Sequence, residues 1–405
     1  MEEGKVFKDL KVADFCWAIV GPITTKYLAD FGATVVRVES RKRVDPMRTT
    51  GPFKHGKTDP DESGYQAAYN TNKYSISLDM ENPKGIELAR EIILWADVVA
   101  ESFRPGVMEK WGLGYEQMKK IKPDIIHISS STLGYDGPQR SYGGAGFLLV
   151  ALGGFSSFIG YPGSEPMRLP HAYTDFVSPR FCASALVAAL LHRKRTGEGA
   201  FIDVSQLESS VMFLLPGMLD YTVNKREPTR TGNASSWAAP HGVYRCQGTD
   251  RWIAIAVSSD EEWTALCNTM GKPHLVEDSR FATFRQRKKH EAELDGEIEA
   301  WTSNMTAEEI VGRLQSVDVA AGVVQNSQDI MENPQLRSRG IFWNLEHPRM
   351  GPFNFLGQPF TLSKTPPKGV MPSPCLGEHT EYVCTQLLGM KDEDFLAYMN
   401  EGIFE

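Results

Sequence analysis

The chain has 405 residues, of which 41% are hydrophobic and 23% charged, an ordinary globular composition with enough length for a large core and two domains. Its formal net charge of −8 argues against non-specific binding to nucleic acid or to an anionic membrane surface. Local basic clusters can still hold a phosphorylated small ligand.

In chain order, Val12–Phe15 is a short apolar strand, Gly21-Pro22 breaks it, and Ile23–Phe31 has helical character. Gly32-Ala33 ends that helix, and Thr34–Val38 is a β-branched strand. Asn82-Pro83 starts a helix with Asn as N-cap and Pro at the first position, and Leu88, Ile92 and Trp95 recur at helical spacing. Val98–Ala100 and Ile125–Ser130 are strands. This alternation implies a mainly parallel sheet covered by helices. Ser178-Pro179 starts another helix by the same capping rule, with Thr196-Gly197 as its stop. Phe201–Val204 is a short strand, and a further helix begins near Gln206.

Thr229–Pro240 has linker composition. Beyond it, Val243–Cys246 and Trp252–Val257 flank Gly248-Thr-Asp250 as a β-hairpin. Charged helices follow near Asp260–Met270, Arg285–Thr302 and Ala307–Val317, making a smaller α+β domain that ends near Pro334. From Gly340 the chain is Pro/Gly-rich and extended, with a final helix at Glu378–Leu388. The expected divisions are residues 1–228, 229–334 and 335–405.

Six widely spread cysteines (Cys16, Cys182, Cys246, Cys267, Cys375 and Cys384) form no CxxC pair, so no zinc or redox site is expected. The nine histidines show no metal-ligand spacing, and no metal is expected. The charged start Met1-Glu-Glu-Gly-Lys5 does not have the pattern of a leader, and no run reaches the roughly 20 apolar residues of a membrane span. A cytoplasmic location with reduced thiols is the expectation.

Gly51-Pro-Phe-Lys-His-Gly-Lys-Thr58 matches GxxxxGK[ST], but neither a strand before it nor a helix after it is expected, so the match is read as a surface loop. Only Gly21 and Gly32 fall in the first βαβ window, which lacks a GxGxxG fingerprint. The basic residues Arg37, Arg41, Lys42, Arg43 and Arg48 form either a solvated face or a phosphate pocket beyond the strand ends. His379 is a tempting base, although a histidine at a helix start is more often structural. GxSxG is absent, against a serine hydrolase. Asp175, a lone carboxylate in His171–Arg180, reads on local chemistry alone as a turn-former three residues before a capped helix.

Several segments together resemble the class III CoA-transferases, the group of formyl-CoA:oxalate and carnitine CoA-transferases. They are Phe31–Glu39, Asn72-Lys-Tyr-Ser-Ile-Ser-Leu-Asp79, Glu101-Ser-Phe-Arg-Pro-Gly-Val-Met-Glu-Lys-Trp-Gly-Leu-Gly-Tyr115, Arg195–Ser205 and Leu376-Gly-Glu-His-Thr380. The resemblance implies a Rossmann-like large domain completed by the C-terminal segment, a small α+β domain, and two chains threaded like links. The partner chain is then an identical copy or a related subunit. It assigns Asp175 as the covalent nucleophile. Ala18, Val20, Leu78, Ser102, Phe103, Lys110 and Trp111 fall on positions that contact CoA, with Arg41 and Arg104 as candidates for its phosphates. The substrates would be an acyl-CoA and a carboxylic acid, with coenzyme A entering only as part of substrate and product and no tightly bound cofactor.

The chemistry agrees with that assignment. Exchange of CoA between carboxylates suits a carboxylate nucleophile, and aspartate, with a reference pKa of about 3.9, needs no helper base at neutral pH. The oxalate enzymes have Gln at the position of Ile19, Lys at that of Gly143 and Glu at that of Gly146. They also carry a glycine loop for which Ser235–His241 offers no equivalent. The small residues Gly143-Gly-Ala-Gly146 then imply a wider, more apolar acyl pocket, for aryl-substituted (benzylsuccinate-like) or carnitine-like acids. The α-methylacyl-CoA racemases of the same fold need a His-Asp pair at the positions of Ala145 and Gly146, which is missing here. Racemase or epimerase chemistry and a catalytically idle partner subunit are the alternative readings.

Overall fold

β1 (Lys11–Phe15), β2 (Thr34–Glu39), β3 (Lys73–Ser77), β4 (Val98–Glu101), β5 (Ile126–Ser131) and β6 (Ala200–Ser205) pair in parallel in the order β3-β2-β1-β4-β5-β6. The computed structural model describes residues 5–405, and Met1–Gly4 lie outside the described residues. The central strands are buried on both faces: Val12, Ala13, Val35, Val36, Val98 and Val99 have no exposed surface. Runs of this kind, without alternation, are what helices on both sides of a parallel sheet require.

The helices along this stretch of chain are α1 (Val20–Asp30), α2 (Gly64–Tyr69), α3 (Pro83–Trp95), α4 (Val107–Lys110), α5 (Tyr115–Met118), α6 (Gly146–Leu152), α7 (Phe155–Phe158), α8 (Tyr173–Thr196), α9 (Gln206–Val211) and α10 (Leu215–Asn224). α3 begins as its sequence predicts, with the Asn82 side chain accepting from the Lys84 N–H and Pro83 at the start. α1 begins earlier than expected and runs through Gly21-Pro22. Pro22 falls in the first turn, where its missing N–H costs no helical bond, and a Cβ on Gly21 would come within 2.3 Å of Cys16 Cβ.

α8 differs most from expectation. It starts at Tyr173 rather than at Ser178, so Pro179 lies inside it and Asp175 lies in its first turn. Ser178 is not its N-cap; its Oγ donates to Thr174 O at 3.0 Å within the helix. Pro179 has no N–H to give the carbonyl of Asp175 four residues back. α8 packs against α1, α6 and β5, contacts that accompany its start ahead of Ser178-Pro179. By length and composition it is also the one helix among the described residues long and apolar enough to cross a membrane. Its outer face carries Phe181, Val187 and Leu191, which are exposed. Val187 and Leu191, together with Phe7, Tyr27, Phe31, Phe360 and Leu362, line an open groove of about 1230 Å³. α10 buries none of its residues.

Two compact units are present, one made of the chain up to Ser156, Arg168–Arg226 and Gln335–Glu405, the other of Ser157–Met167 and Glu227–Pro334. In the second, β7 (His241–Arg245), β8 (Trp252–Ala256) and β9 (Ala320–Val323) form an antiparallel sheet. α11 (Asp260–Thr269), α12 (Phe284–Lys289), α13 (Glu291–Thr302) and α14 (Ala307–Gln315) accompany it, around a separate core of Trp263, Phe281, Leu294, Ile298, Ile310 and Leu314. The single helix expected over Arg285–Thr302 is interrupted at His290.

The tail is more ordered than its Pro/Gly content suggests. β10 (Phe342–His347) and β11 (Gly351–Leu356) form a hairpin. The chain then runs along β3, with His379 N donating to Ser75 O at 2.8 Å, Ser77 N to Thr380 Oγ1 at 3.3 Å and Asp79 N to Ile403 O at 2.8 Å. These bonds cover an edge strand that would otherwise be open. A helix over Asp392–Asn400 follows the one expected to be last.

Arg37 and Arg48 are fully buried, so neither a solvated face nor a phosphate pocket describes them. Arg48 grips Glu39 with Nε at 2.8 Å and Nη2 at 2.7 Å, and reaches Asp61 at 3.0 Å. Arg37 pairs with Glu39 at 3.1 Å and with Asp45, and its Nη1 donates to Asn70 at 2.7 Å. Burial alone would raise the Glu39 pKa, but Arg48 and Arg37 hold it well below the usual carboxylate range. Burial pulls Lys73, which pairs with Asp14 at 3.0 Å, down to about 8.

Removing one partner from such a network leaves an unpaired buried charge. Arg37→Met should lower the unfolding free energy by about 3–5 kcal/mol in denaturant titrations. Because the Glu39 pKa is depressed by folding, its stabilising effect is present above the unfolded value of about 4.3 and is lost as pH falls below it. The deficit of the variant should therefore shrink in acid; an equal deficit at all pH values would mean the network is not ionic.

Candidate active site

The strand order reverses direction between β1 and β4, and open α/β sheets bind ligands in the crevice beyond the carboxyl ends at such a point. The loops leaving those two strands carry most of the candidate ligand residues. Trp17 N donates to Ser102 Oγ at 2.8 Å, and that hydroxyl donates back to Trp17 O at 3.1 Å, tying the loops together. Ala18 adopts a left-handed φ of 60°, and its N–H is held by both carboxylate oxygens of Asp45 at 3.2 Å. Val20 is buried at the start of α1. Trp17, Phe103 and Trp111 make a run of edge-to-face rings with centroids 5.7 and 5.5 Å apart. Arg104 and Lys110 are exposed beside it.

Two candidates lie elsewhere. Arg41 follows β2, and its Nη2 donates to Leu376 O at 3.0 Å. Leu78 has no exposed surface and belongs to the core beneath α3, so here it serves packing and offers nothing to a ligand. The P-loop-like segment Gly51–Thr58 is followed by turns up to Ser63 rather than by a helix. His379 is structural: its Nδ1 accepts from Ser75 N at 3.3 Å and its ring stands edge-on to Tyr74.

Asp175 sits half-buried in the first turn of α8. Gln206, at the start of α9 beyond the end of β6, donates from Nε2 to Asp175 Oδ1 and to Thr174 Oγ1 at 3.2 Å. Thr174 Oγ1 in turn donates to Gly146 O at 3.3 Å. Gly146 is required sterically, since a Cβ there would lie 2.5 Å from Asp175 Oδ2 and 2.3 Å from Ala172 Cβ. Three residues earlier, a Cβ on Gly143 would lie 2.6 Å from an Arg104 guanidinium nitrogen. The stretch Gly143–Gly146 thus bridges Asp175 to the segment after β4. Arg104, Ala172 and Asp175 take up the space where side chains at Gly143 and Gly146 would lie.

Burial pushes the Asp175 carboxyl up to about 6, and the Gln206 hydrogen bond opposes the rise. Tyr69 is nearby: burial raises its pKa, with Tyr65 and Asp175 adding to the effect, and its ring meets Phe176 edge-on at 6.3 Å. Glu101, at the end of β4, is raised by burial to about 7 and accepts from Phe103 N at 2.7 Å. Gln206, Thr174 and Tyr69 were not legible as site residues. Gln206 lies 31 residues from Asp175, and nothing local marks an amide after a strand end as a partner for it.

A family model described as CoA-transferase family III matches residues 7–380. The chain belongs to that family. It is 33% identical over 388 residues to the succinyl-CoA--D-citramalate CoA-transferase of Chloroflexus aurantiacus, covering 95% of each chain. It is 30% identical over 380 residues to the succinate--glutarate CoA-transferase of Agrobacterium fabrum, covering 93% of this chain and 94% of that one. The crystal structure of a CAIB/BAIF family protein from Brucella suis superposes with a TM-score of 0.86 at 30% identity, covering 94% of this chain and 98% of the other. This protein is therefore an enzyme that moves CoA between carboxylic acids, using CoA thioesters as substrates.

The Asp175 carboxyl should titrate near pH 6 when followed by isotope-edited infrared spectroscopy, with Asp175→Asn identifying its band. Gln206→Met removes the hydrogen bond that favours the charged form, so the midpoint should move up. A midpoint near 4, or a downward move, would contradict the environment described.

Proposed function

We propose that this CoA-transferase works by covalent catalysis at Asp175, with a short dicarboxylic acid as acceptor and succinyl-CoA or a similar thioester as donor. The observation that carries the reading is the placement of one half-buried carboxylate over Gly146, in a position with no room for a side chain. The switch-point loops lie next to it through Gly143 and Arg104. With a pKa of about 6, Asp175 is largely ionised at neutral pH.

In this reading Asp175 attacks the donor thioester carbonyl, the C–S bond breaks, and a mixed anhydride and CoA thiolate result. The thiolate attacks Cγ of Asp175 and expels the donor carboxylate, leaving an aspartyl-CoA thioester. The acceptor carboxylate attacks Cγ and releases the thiolate, which then attacks the acceptor carbonyl and frees Asp175. Ala18, Val20, Ser102, Phe103, Lys110 and Trp111 are proposed to hold the CoA moiety, whose binding energy positions the thioester. Incubation with succinyl-CoA followed by borohydride or hydroxylamine should label Asp175, as read by peptide mass spectrometry, and Asp175→Ala should be inactive. Labelling at another residue, or an active variant, would sink the mechanism.

The acceptor assignment rests on Arg104. Its guanidinium fills the space beside Gly143 and is placed to pair with the second carboxylate of a dicarboxylic acid, as citramalate and glutarate in the relatives' names suggest. The competing acceptors are the aryl-substituted and carnitine-like acids. Arg104→Met should raise KM for dicarboxylate acceptors at least about tenfold, as expected for loss of a charge-assisted pair, and leave monocarboxylates unaffected. Preference for an aryl-substituted or carnitine-like acceptor in a screen would overturn the assignment.

The apolar outer faces of α8 and α10 are proposed to be covered by a second copy of the chain. Exposed apolar surface on this scale marks an interface. Light scattering should give twice the mass of the chain at micromolar concentration; a monomer would refute the proposal.

A further inference from the structure

The geometry around Asp175 points to an additional catalytic group that the family resemblance does not assign. We propose that Gln206 is the oxyanion donor for the steps that occur at Cγ of Asp175. The proposal rests on the reading of Asp175 as nucleophile.

Gln206 Nε2 donates to Asp175 Oδ1, and no donor among the described residues is bonded to Oδ2. Oδ2 is therefore the oxygen free to attack the donor thioester. When it does, Oδ2 becomes the bridging oxygen of the anhydride and Oδ1 the carbonyl oxygen on Cγ. Attack of CoA thiolate on Cγ places the developing negative charge on Oδ1. Collapse breaks the Cγ–Oδ2 bond, and the donor acid leaves with Oδ2. Attack of the acceptor carboxylate on the resulting thioester again charges Oδ1, and collapse expels the thiolate. Oδ1 stays on Cγ throughout, so one donor fixed to it serves both tetrahedral intermediates. The first and last steps differ, because they place the charge on the oxygen of a substrate carbonyl, which Gln206 does not hold.

The amide is built for a fixed role. Gln206 is 5% exposed. Its second N–H is taken by Thr174 Oγ1 at 3.2 Å, and Thr174 is anchored on Gly146 O at 3.3 Å. Thr174 Oγ1 gives its proton to that carbonyl, so it accepts from Gln206, which sets the amide with Nε2 towards Asp175. The Ser205 side chain caps α9 and fixes the backbone of the next residue, Gln206. A donor held in this way needs no reorganisation as charge develops, and loss of one such donor typically costs about 100- to 1000-fold in rate.

The test separates the partial reactions. Wild type and Gln206→Met are mixed with succinyl-CoA without acceptor and quenched over time. Peptide mass spectrometry of the acid-quenched protein separates the two adducts at Asp175 by mass, a succinyl addition for the anhydride and a CoA addition for the thioester. In Gln206→Met, thioester formation should slow about 100- to 1000-fold, the anhydride at Asp175 should accumulate, and KM for succinyl-CoA should stay near that of the wild type. Unchanged thioester formation, or equal slowing of anhydride and thioester, overturns the role of Gln206. Wild-type adducts mapped away from Asp175 remove the nucleophile reading itself, whatever the variant does. Should Gln206→Met not fold, the wild type decides the matter. With 13C-labelled aspartate, the thioester carbonyl at Asp175 should absorb below the frequency of a free aspartyl thioester, as a hydrogen-bonded carbonyl does. An unshifted band overturns the proposal.

Discussion

The buried charge network around Arg37 is the constraint from which the ligand side of the sheet is built. Arg37 has no exposed surface and is shared among Glu39, Asp45 and Asn70. Asp45 in turn holds the N–H of Ala18, whose left-handed backbone shapes the loop after β1. Arg48 completes Glu39 and reaches Pro374 O at 3.1 Å, so the same network fastens the returning tail. Taking several charges out of water is costly, and it is tolerated only when each finds a partner in good geometry. A change in any one of these residues is therefore felt in the loop, in the tail and in the strand between them.

Fixing the β1 loop has a consequence for the chemistry. Trp17 N and Ala18 N are already engaged by Ser102 and Asp45, so those amides are not free to stabilise an oxyanion. The donor that stands against the Asp175 carboxylate is a side chain, that of Gln206. Gln206 favours the charged form of Asp175, and in the proposed mechanism it holds the oxygen that stays with the protein. In the proposed mechanism an amide from α9 and a guanidinium from the segment after β4 serve the reaction.

Gly146 shows how one position can exclude and permit at once. Having no side chain, Gly146 cannot supply the acidic member of a racemase pair. The same absence lets the α8 carboxylate approach the main chain closely. Arg104, Ala172 and Asp175 border Gly143 and Gly146, neighbours that the sequence around the glycines does not reveal.

What the sequence determined by itself is local or ordered along the chain. Val12–Phe15, Thr34–Val38 and Ile125–Ser130 were legible as strands because β-branched and apolar runs of that length have few other uses. Asn82-Pro83 marked the start of α3 because the cap and its target lie two residues apart. The ordered segments from Phe31 to Thr380 identified the family and pointed to Asp175. Tertiary structure alone decided that α8 begins before Pro179, that Arg37 and Arg48 are buried, that Leu78 is core, and that Gln206 meets Asp175. Caps and periodicity act over a few residues, whereas these outcomes depend on desolvation and on contacts between segments tens of residues apart, which no local pattern encodes.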